Sequence, residues 1–310
     1  MKRRIIEQRK CDKWYVYILI VVGVSVFFAF VYKSIKDKRE SVQFTKTLSA
    51  SMSPALAAGD SIAWKRTKEI KRNDIAVFQF PEESSLSVFR CVALPGDILE
   101  IKQGLVYIND HFSDYQPEQL KFRYQVIIEG NLDESELRRM GIEKVYQFSE
   151  EDCVYDLTIK QVEEIEKMKN VVQIHLMSME QGESAEGKLF PFDPALDWNW
   201  DFYGPLIIPR KGLTIEIIPE NASLYGTIIS LYEQADSVSL NKDGLLEING
   251  EEVRFYTFKY DYYFMMGDNR HNAADSRLKG PVPDYQIKGT ARYIFWSDEK
   301  SRIGEKLYFE

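Results

Sequence analysis

The sequence predicts a mainly β protein that carries a mixed α+β insertion and is preceded by one N-terminal transmembrane helix. Three observations carry this. Residues 14–32 (WYVYILIVVGVSVFFAFVY) form a run of 19 residues without a charge, about 28 Å long as a helix and close to the hydrocarbon thickness of a bilayer. Beyond it, short segments rich in Val, Ile, Phe and Leu alternate with turn residues, the pattern of strands. Two related hairpin-like segments, GLVYIN at 104–109 and GLLEIN at 244–249, bracket a stretch with helical spacing. Two copies are too few for a repeat architecture, so the stretch between them reads as an insertion in a β domain.

The anchor is justified first. Trp14, Tyr15 and Tyr32 sit at the ends of the apolar run, where amphipathic aromatics prefer the interface. The run is apolar on every face and lacks a small-residue cleavage pattern, which argues against both a core helix and a removed signal peptide. Lys2, Arg3, Arg4, Arg9, Lys10 and Lys13 precede it, and Lys33, Lys36, Lys38 and Arg39 follow. The basic excess before the span predicts a cytoplasmic N-terminus and an external remainder.

Strands are predicted over 61–64, 74–80, 86–94, 98–101 and 256–266. Inside the insertion, 132–140 and 158–169 have helical spacing, the second opening with a Thr158–Gln161 capping box, and 221–234 is a third helix candidate. The loop FPFDPALDWNWDFYGPLIIPRKG is rich in Pro, Gly and aromatics, which predicts an ordered irregular segment whose rings pack rather than bind. The expected organisation is a basic tail 1–13, the span 14–32, a β domain built from 41–110 and 241–310, and an inserted second domain over 111–240.

Composition narrows the function classes. The chain has 310 residues, 28% of them charged and 45% hydrophobic, the balance of a globular protein. A net charge of −8, with no basic stripe beyond the N-terminus, argues against nucleic acid as a partner. Cys11, Cys91 and Cys153 show no CxxC pairing, so no metal site is indicated; a Cys91–Cys153 bridge is left open.

The serine-bearing segment TLSASMSPALAAGD at 47–60 has the composition of a linker when taken alone. Its company changes that. SASMSPAL at 49–56, KRNDIAVFQFP at 71–81, FRCVALPGD at 89–97 and GDNRHNAADSR at 267–277 follow in order behind the anchor. In this order the set resembles the bacterial type I signal peptidases, Ser–Lys serine endopeptidases that process exported preproteins. The resemblance covers the anchor and nearly all of the β domain; the insertion matches only in position. It implies Ser51 as the nucleophile position and Ser49 as the oxyanion position. Met52, Pro54, Arg90, Gly96, Asp97, Gly267, Asp268, Asn269, Arg270, Asp275 and Arg277 match the scaffold of the site. It implies no cofactor and no metal.

Two departures stand out. The family's lysine base immediately precedes the Arg of the segment ending in Pro-Gly-Asp, and here that position is Phe89. No lysine occurs between Lys71 and Lys102, and Arg90 stays protonated and cannot serve. The serine that orients the lysine is replaced by Ala273. Ala55, Leu278 and Lys279 are milder departures. A serine hydroxyl is a poor nucleophile without a neighbouring base, and removing that base costs on the order of a million-fold, roughly 8 kcal/mol.

The resemblance therefore implies a homologue with lost or greatly reduced activity, a pseudoenzyme of the family. The alternatives are an active peptidase using His271 or Lys279 as base, and an anchored binding module unrelated to secretion. If Phe89 begins a regular strand, Cys91 and Ala93 share its face, which would be apolar. Implied partners are signal-peptide-bearing preproteins and membrane lipid, with an active paralogue as an open third. The implied location is the bacterial inner (cytoplasmic) membrane, single-pass, with the main domain periplasmic.

Overall fold

A computed structural model describes residues 14, 17–29, 31–32, 42–81 and 83–307. The chain forms two compact units, residues 1–43 and residues 44–310. In the first, residues 14, 17–29, 31 and 32 are helical, and their large apolar side chains are exposed apart from the half-buried Val31. Among the described residues no helix is long and apolar enough to cross a membrane. The basic tail 1–13, the cations 33–39 and parts of the predicted span (residues 15, 16 and 30) lie outside the described residues.

The second unit is built on antiparallel strands. Its main sheet takes β1 (Val42–Lys46), β2 (Ser61–Arg66), β3 (Ile75–Phe78) and β4 (Ser87–Ala93) from the first part of the chain. Next come β5 (Ile98–Lys102), β6 (Leu105–Ile108) and β7 (His111–Phe112), which curl back on one another as a meander. The region after them supplies β8 (Phe122–Ile128), β9 (Lys144–Ser149), β10 (Asp152–Leu157) and β11 (Val171–Leu176). Then follow β12 (Tyr203–Ile207), β13 (Thr214–Glu216), β14 (Val238–Leu240), β15 (Leu246–Ile248), β16 (Glu251–Glu252) and β17 (Phe255–Thr257). Finally β18 (Tyr262–Met266), β19 (Val282–Pro283) and β20 (Ile287–Trp296) return to the main sheet. That sheet runs β1-β2-β20-β3-β4-β18-β19. The segments expected at 61–64, 74–80, 86–94 and 98–101 are strands with ends shifted by one or two residues.

Strand β4 sits between β3 and β18, and its buried residues serve two cores. Phe89 and Cys91 join Met52, Ile75, Phe78, Met265 and Ala273 in one apolar cluster. Val92 joins Leu99, Leu206, Ile228 and Phe264 in another. Ala93, expected to share the face of Phe89, belongs with Val92 instead. The reason is a bulge: Phe264 pairs with Ala93 but Met265 pairs with Cys91, so β4 spends two residues against one and the alternation shifts.

The expectation of one strand over 256–266 is corrected to two, β17 and β18. The chain turns between them, where Asp261 accepts the Lys211 N–H at 2.8 Å and Glu233 accepts the Lys259 N–H at 3.0 Å. Glu233 is fully buried and also accepts from the Tyr256 and Tyr262 hydroxyls at 3.0 and 2.6 Å, which satisfies a carboxylate that burial would otherwise penalise.

The three helix candidates are present. Glu134–Arg139 is capped by Asp133, Ile159–Ile165 opens with the Thr158–Gln161 capping box, and the third runs Pro219–Tyr232. The last begins two residues earlier than its spacing suggests because Pro219 suits a first helical position. Strands β8–β11 form their own four-stranded sheet over a separate core containing Val126, Leu137, Tyr155 and Ile165. By contrast β12 pairs with β5, and Phe190, Tyr203 and Ile228 pack into the core of Leu99 and Phe264. The aromatic loop thus packs as expected: the Tyr203 hydroxyl donates to the Phe190 carbonyl at 3.0 Å. Cys91 and Cys153 are buried free thiols, and burial pushes the Cys91 pKa up.

One packing constraint invites a test. A Cβ on Gly289 of β20 would collide with the Lys65 carbonyl of β2 and with the Trp64 ring. Gly289→Ala should destabilise the second unit by about 2–3 kcal/mol, read as a lower denaturation midpoint with an unchanged slope.

Candidate active site

Residues 47–60 form a loop closed on itself. The Thr47 N–H donates to the Asp60 carbonyl and the Gly59 N–H to the Thr47 carbonyl, both at 2.8 Å. The Thr47 hydroxyl donates to the Ala57 carbonyl at 2.6 Å, and the Asp60 carboxylate accepts the Ala57 N–H at 2.8 Å. Arg302 braces the outside, pairing with Asp60 at 3.0 Å and donating to the Pro54 and Ala55 carbonyls at 3.1 and 2.8 Å. A segment with the composition of a linker is therefore held at both ends and in the middle.

The loop presents its two serines side by side. The Ser49 and Ser51 hydroxyls are 2.8 Å apart, and Ser51 is buried. Among the described residues, Ser49 is the one side chain in hydrogen-bond contact with the Ser51 hydroxyl. Main-chain contacts fix Ser51 from behind: its carbonyl accepts the Asn269 N–H at 3.0 Å. Gly267 lies so near that a Cβ there would sit 2.5 Å from both the Ser51 carbonyl oxygen and the Ala273 Cβ. Met52, Phe89 and Ala273 share one apolar cluster next to this serine. Phe89 is buried with its ring centroid 6.1 Å from that of Phe78, so position 89 puts no titratable side chain in this wall.

The scaffold residues form a chain of buried ion pairs. Arg90 grips Asp268 with two hydrogen bonds of 2.8 and 2.6 Å and donates to the Asn73 carbonyl at 2.8 Å. Asp275 accepts the Gly267 N–H at 3.1 Å and is gripped by Arg277, which also donates to the Arg270 carbonyl at 2.6 Å. Arg270 pairs with Asp114 at 2.5 Å in a fully buried contact. Asp97 pairs with Arg72 at 2.9 Å, and Gly96 before it takes a positive φ of 93°, which favours glycine. Gly267 and Asn269 therefore lie against the Ser51 main chain, with the ion-paired Asp268 and Arg270 beside them in sequence, whereas Gly96 and Asp97 brace the end of β4.

The two candidate replacement bases are engaged elsewhere. His271 accepts the Arg123 N–H on Nδ1 at 3.1 Å and bonds Asp201 through Nε2 at 2.7 Å, which assigns the proton to Nε2. Lys279 is ion-paired with Glu83 and lies over the Phe80 ring, 4.8 Å from its centroid. His111 and His175 face solvent.

Four residues of the middle region reach the site and carry no motif signal: Asp114, Lys121, Asp156 and Asp201. Lys121 is buried; its N–H donates to the Asp268 carbonyl at 3.0 Å and its carbonyl accepts the Arg270 N–H at 2.9 Å. Burial lowers its pKa, against the opposing pull of Asp156 and Glu143. Asp156 pairs with Arg123 at 2.9 Å and accepts from the Asn269 side chain at 3.2 Å. Single aspartates and a lysine look like solvated charges in sequence until the fold brings them inward.

A paired, buried serine on a braced loop within an antiparallel β scaffold has the layout of a serine hydrolase. The profile of the family described as "Signal peptidase, peptidase S26" matches residues 12–190 and 229–296. The chain belongs to this family, the type I signal peptidases. It is 26% identical over 254 residues to a signal peptidase I of Aquifex aeolicus, covering 80% of this chain and 73% of that protein. It is 24% identical over 272 residues to one from Buchnera aphidicola, covering 82% and 68%. A signal peptidase I of Helicobacter pylori is 38% identical over 53 residues, 17% of this chain and 18% of that protein.

The Arg90–Asp268 pair offers a measurable handle on the scaffold. Either Arg90→Met or Asp268→Ala alone should cost about 3–5 kcal/mol of stability by stranding a buried charge. The double substitution should cost clearly less than the sum, as read from denaturant melts of the four proteins.

Proposed function

We propose that this chain is a membrane-anchored type I signal peptidase homologue that keeps the substrate-facing scaffold and has lost, wholly or nearly so, the ability to hydrolyse. The observation that carries the reading is the apolar wall beside Ser51. Phe89 stands where the family has its lysine base, and Ala273 where it has the orienting serine. Both are buried with Met52 in one cluster. The partners of His271 and Lys279 support the same reading, since neither side chain is free to take the Ser51 proton. Ser51 retains Ser49 as a neighbour, so an oxyanion could still be stabilised, but neither Phe89 nor Ala273, nor the engaged His271 and Lys279, offers its proton a base.

In this reading Ser51 marks the nucleophile position and Ser49 the oxyanion position. Met52 and Pro54 shape the loop, and Arg90, Asp268, Asn269, Arg270, Asp275 and Arg277 hold the floor. The proposed division places the β domain at 41–110 and 241–310 and the insertion at 111–240. The apolar run 14–32 would anchor the chain in the inner membrane as a single pass. The N-terminus would be cytoplasmic and the main domain periplasmic. Preproteins bearing signal peptides are the proposed ligands, with an active paralogue as the proposed source of turnover.

Incubating the purified full chain with a preprotein should give no cleavage above a Ser51→Ala control; efficient cleavage lost in Ser51→Ala ends this reading. The same scaffold should be repairable. Phe89→Lys combined with Ala273→Ser should introduce measurable, Ser51-dependent cleavage, while Phe89→Lys alone should give less because the ammonium lacks its orienting hydroxyl.

A further inference from the structure

The sheet of the middle region runs β11-β8-β10-β9, so it has two edges, and they are built differently. Strand β9 is broken by two register shifts against β10 and runs into the acidic turn of Glu150 and Glu151. Bulges and edge charges are ways in which a sheet blunts an edge against further pairing. Strand β11 has one irregularity, at its first residues, and is regular from Gln173 to Leu176. Residues 170–179 (NVVQIHLMSM) contain no Asp, Glu, Lys, Arg or Pro. An edge without charge or proline stays open to another strand.

The main chain shows which groups are open. The Met177 N–H donates to the Arg123 carbonyl at 2.8 Å, and His175 stands opposite Gln125 in the same ladder. Antiparallel strands turn alternate residues toward each neighbour. Met177 and His175 therefore spend their main-chain groups on β8, and Ile174 and Leu176 turn theirs away from the sheet. Among the described residues no strand lies on that side. The side chains are unfinished in the same way. Val171 and Ile174 are half-buried against the core of this sheet, whereas Val172 is 58% exposed and Leu176 46%.

These groups restrict what can be added. The open main-chain groups belong to even-numbered residues, so an antiparallel copy of β11 bonds them only when even faces even. Setting Ile174 opposite itself meets this condition and places Leu176 opposite Val172. The same register decides the charges at the ends. The first charged residues outside the uncharged run are Lys169 before it and Glu180 after it, both exposed. Across a two-fold axis they come within one residue of facing each other, once at each end. Lys167, further out, is already paired with Glu164 at 2.6 Å. Opposite charges at the ends and none between them make this strand complementary to itself.

We propose that two copies of this chain dock through β11, antiparallel about a two-fold axis at Ile174. Their four-stranded sheets then join into one continuous sheet. The contact covers Val172 and Leu176 and extends the apolar core across the axis. It goes beyond the signal peptidase reading and holds for an active or an inactive chain. A contact limited to one strand pair falls below the ~1,200–2,000 Å² of a stable interface, so the dimer is concentration-dependent.

The test uses the purified full chain in micelles of an uncharged detergent. Sedimentation should show a monomer–dimer equilibrium at protein concentrations up to about 100 μM. Leu176→Lys, at an exposed site, should raise the dissociation constant at least about tenfold, a difference of ~1.4 kcal/mol. Lys169→Glu and Glu180→Lys should each weaken the dimer, and the two together should restore it, because the swap recreates opposite charges across the axis. Association through the N-terminal apolar run would ignore all of these changes. Hydrogen exchange gives a second reading on the unmodified chain. The Ile174 and Leu176 amides should exchange fast in dilute protein and slow as concentration rises, while the His175 amide is slow throughout. A chain monomeric at about 100 μM, a dimer indifferent to Leu176→Lys, a charge swap no better than its single changes, or amides left open in the dimer would each overturn the proposal. Protection that appears only with an added preprotein, without a second copy, would assign the edge to a foreign strand and overturn it as well.

Discussion

The segment from Gly267 to Arg270 must satisfy two neighbours at once, and the site depends on that. On one side the Asn269 N–H holds the Ser51 carbonyl; on the other the Asp268 carbonyl and the Arg270 N–H hold the main chain of Lys121. A buried backbone group that loses its partner pays the full desolvation cost, so neither neighbour can drift without penalty. The absent side chain at Gly267 is what lets the two backbones meet: a Cβ there would overlap the Ser51 carbonyl. The position of the serine pair is thus set by a residue more than two hundred positions away.

That segment is in turn fixed by charge. Arg90 reaches across from β4 to Asp268, Asp114 reaches up to Arg270, and Asp275 ties Gly267 to Arg277. Each guanidinium is buried and meets its carboxylate through two contacts, the geometry in which a desolvated pair holds register instead of merely adding stability. Asp114, Lys121 and Asp156 come from the middle of the chain, so the region after β7 is part of the floor of the site as well as a sheet of its own. Pairing of β12 with β5 carries the same stitching to the far side of the molecule.

How much of this could be read from the sequence differs by kind of signal. The strands around Phe78, Phe89 and Leu99 were legible because apolar alternation and turn residues mark them locally. The capping box at Thr158 was legible because its two partners lie three residues apart. The serine loop was legible only through the order of four distant motifs; its own composition points to a linker, and Arg302, which braces it, gives no hint in sequence. The face of Ala93 was misjudged because a bulge is a property of two paired strands, and one strand read alone cannot show it. Lys121 and Asp156 were missed for a similar reason: contacts with Asp268 and Arg270 hold the one and contacts with Asn269 and Arg123 the other, and no local pattern announces them.

The chemistry of the wall beside Ser51 bears on how a scaffold could outlast its reaction. In the proposed reading two polar groups that served each other, a lysine and the serine that oriented it, have given way to Phe89 and Ala273. Replacing one alone would strand its partner: a lone ammonium among Met52, Phe78 and Met265 would lose its hydrogen bond in an apolar interior, a cost of several kcal/mol. Replacing both leaves no buried polar atom without a partner, and such paired exchange is close to neutral for folding. Trp64 of β2, whose Nε1 has no partner, belongs to the same cluster, whereas Thr290 of β20, whose Oγ1 has none either, lies outside it. Stability therefore gives no pressure to restore the base once both are gone, whereas the ion pairs under Gly267–Arg270 remain obligatory for folding. The retained charges and the apolar wall follow from the same electrostatic rule, applied to groups that still have partners and to groups that no longer exist.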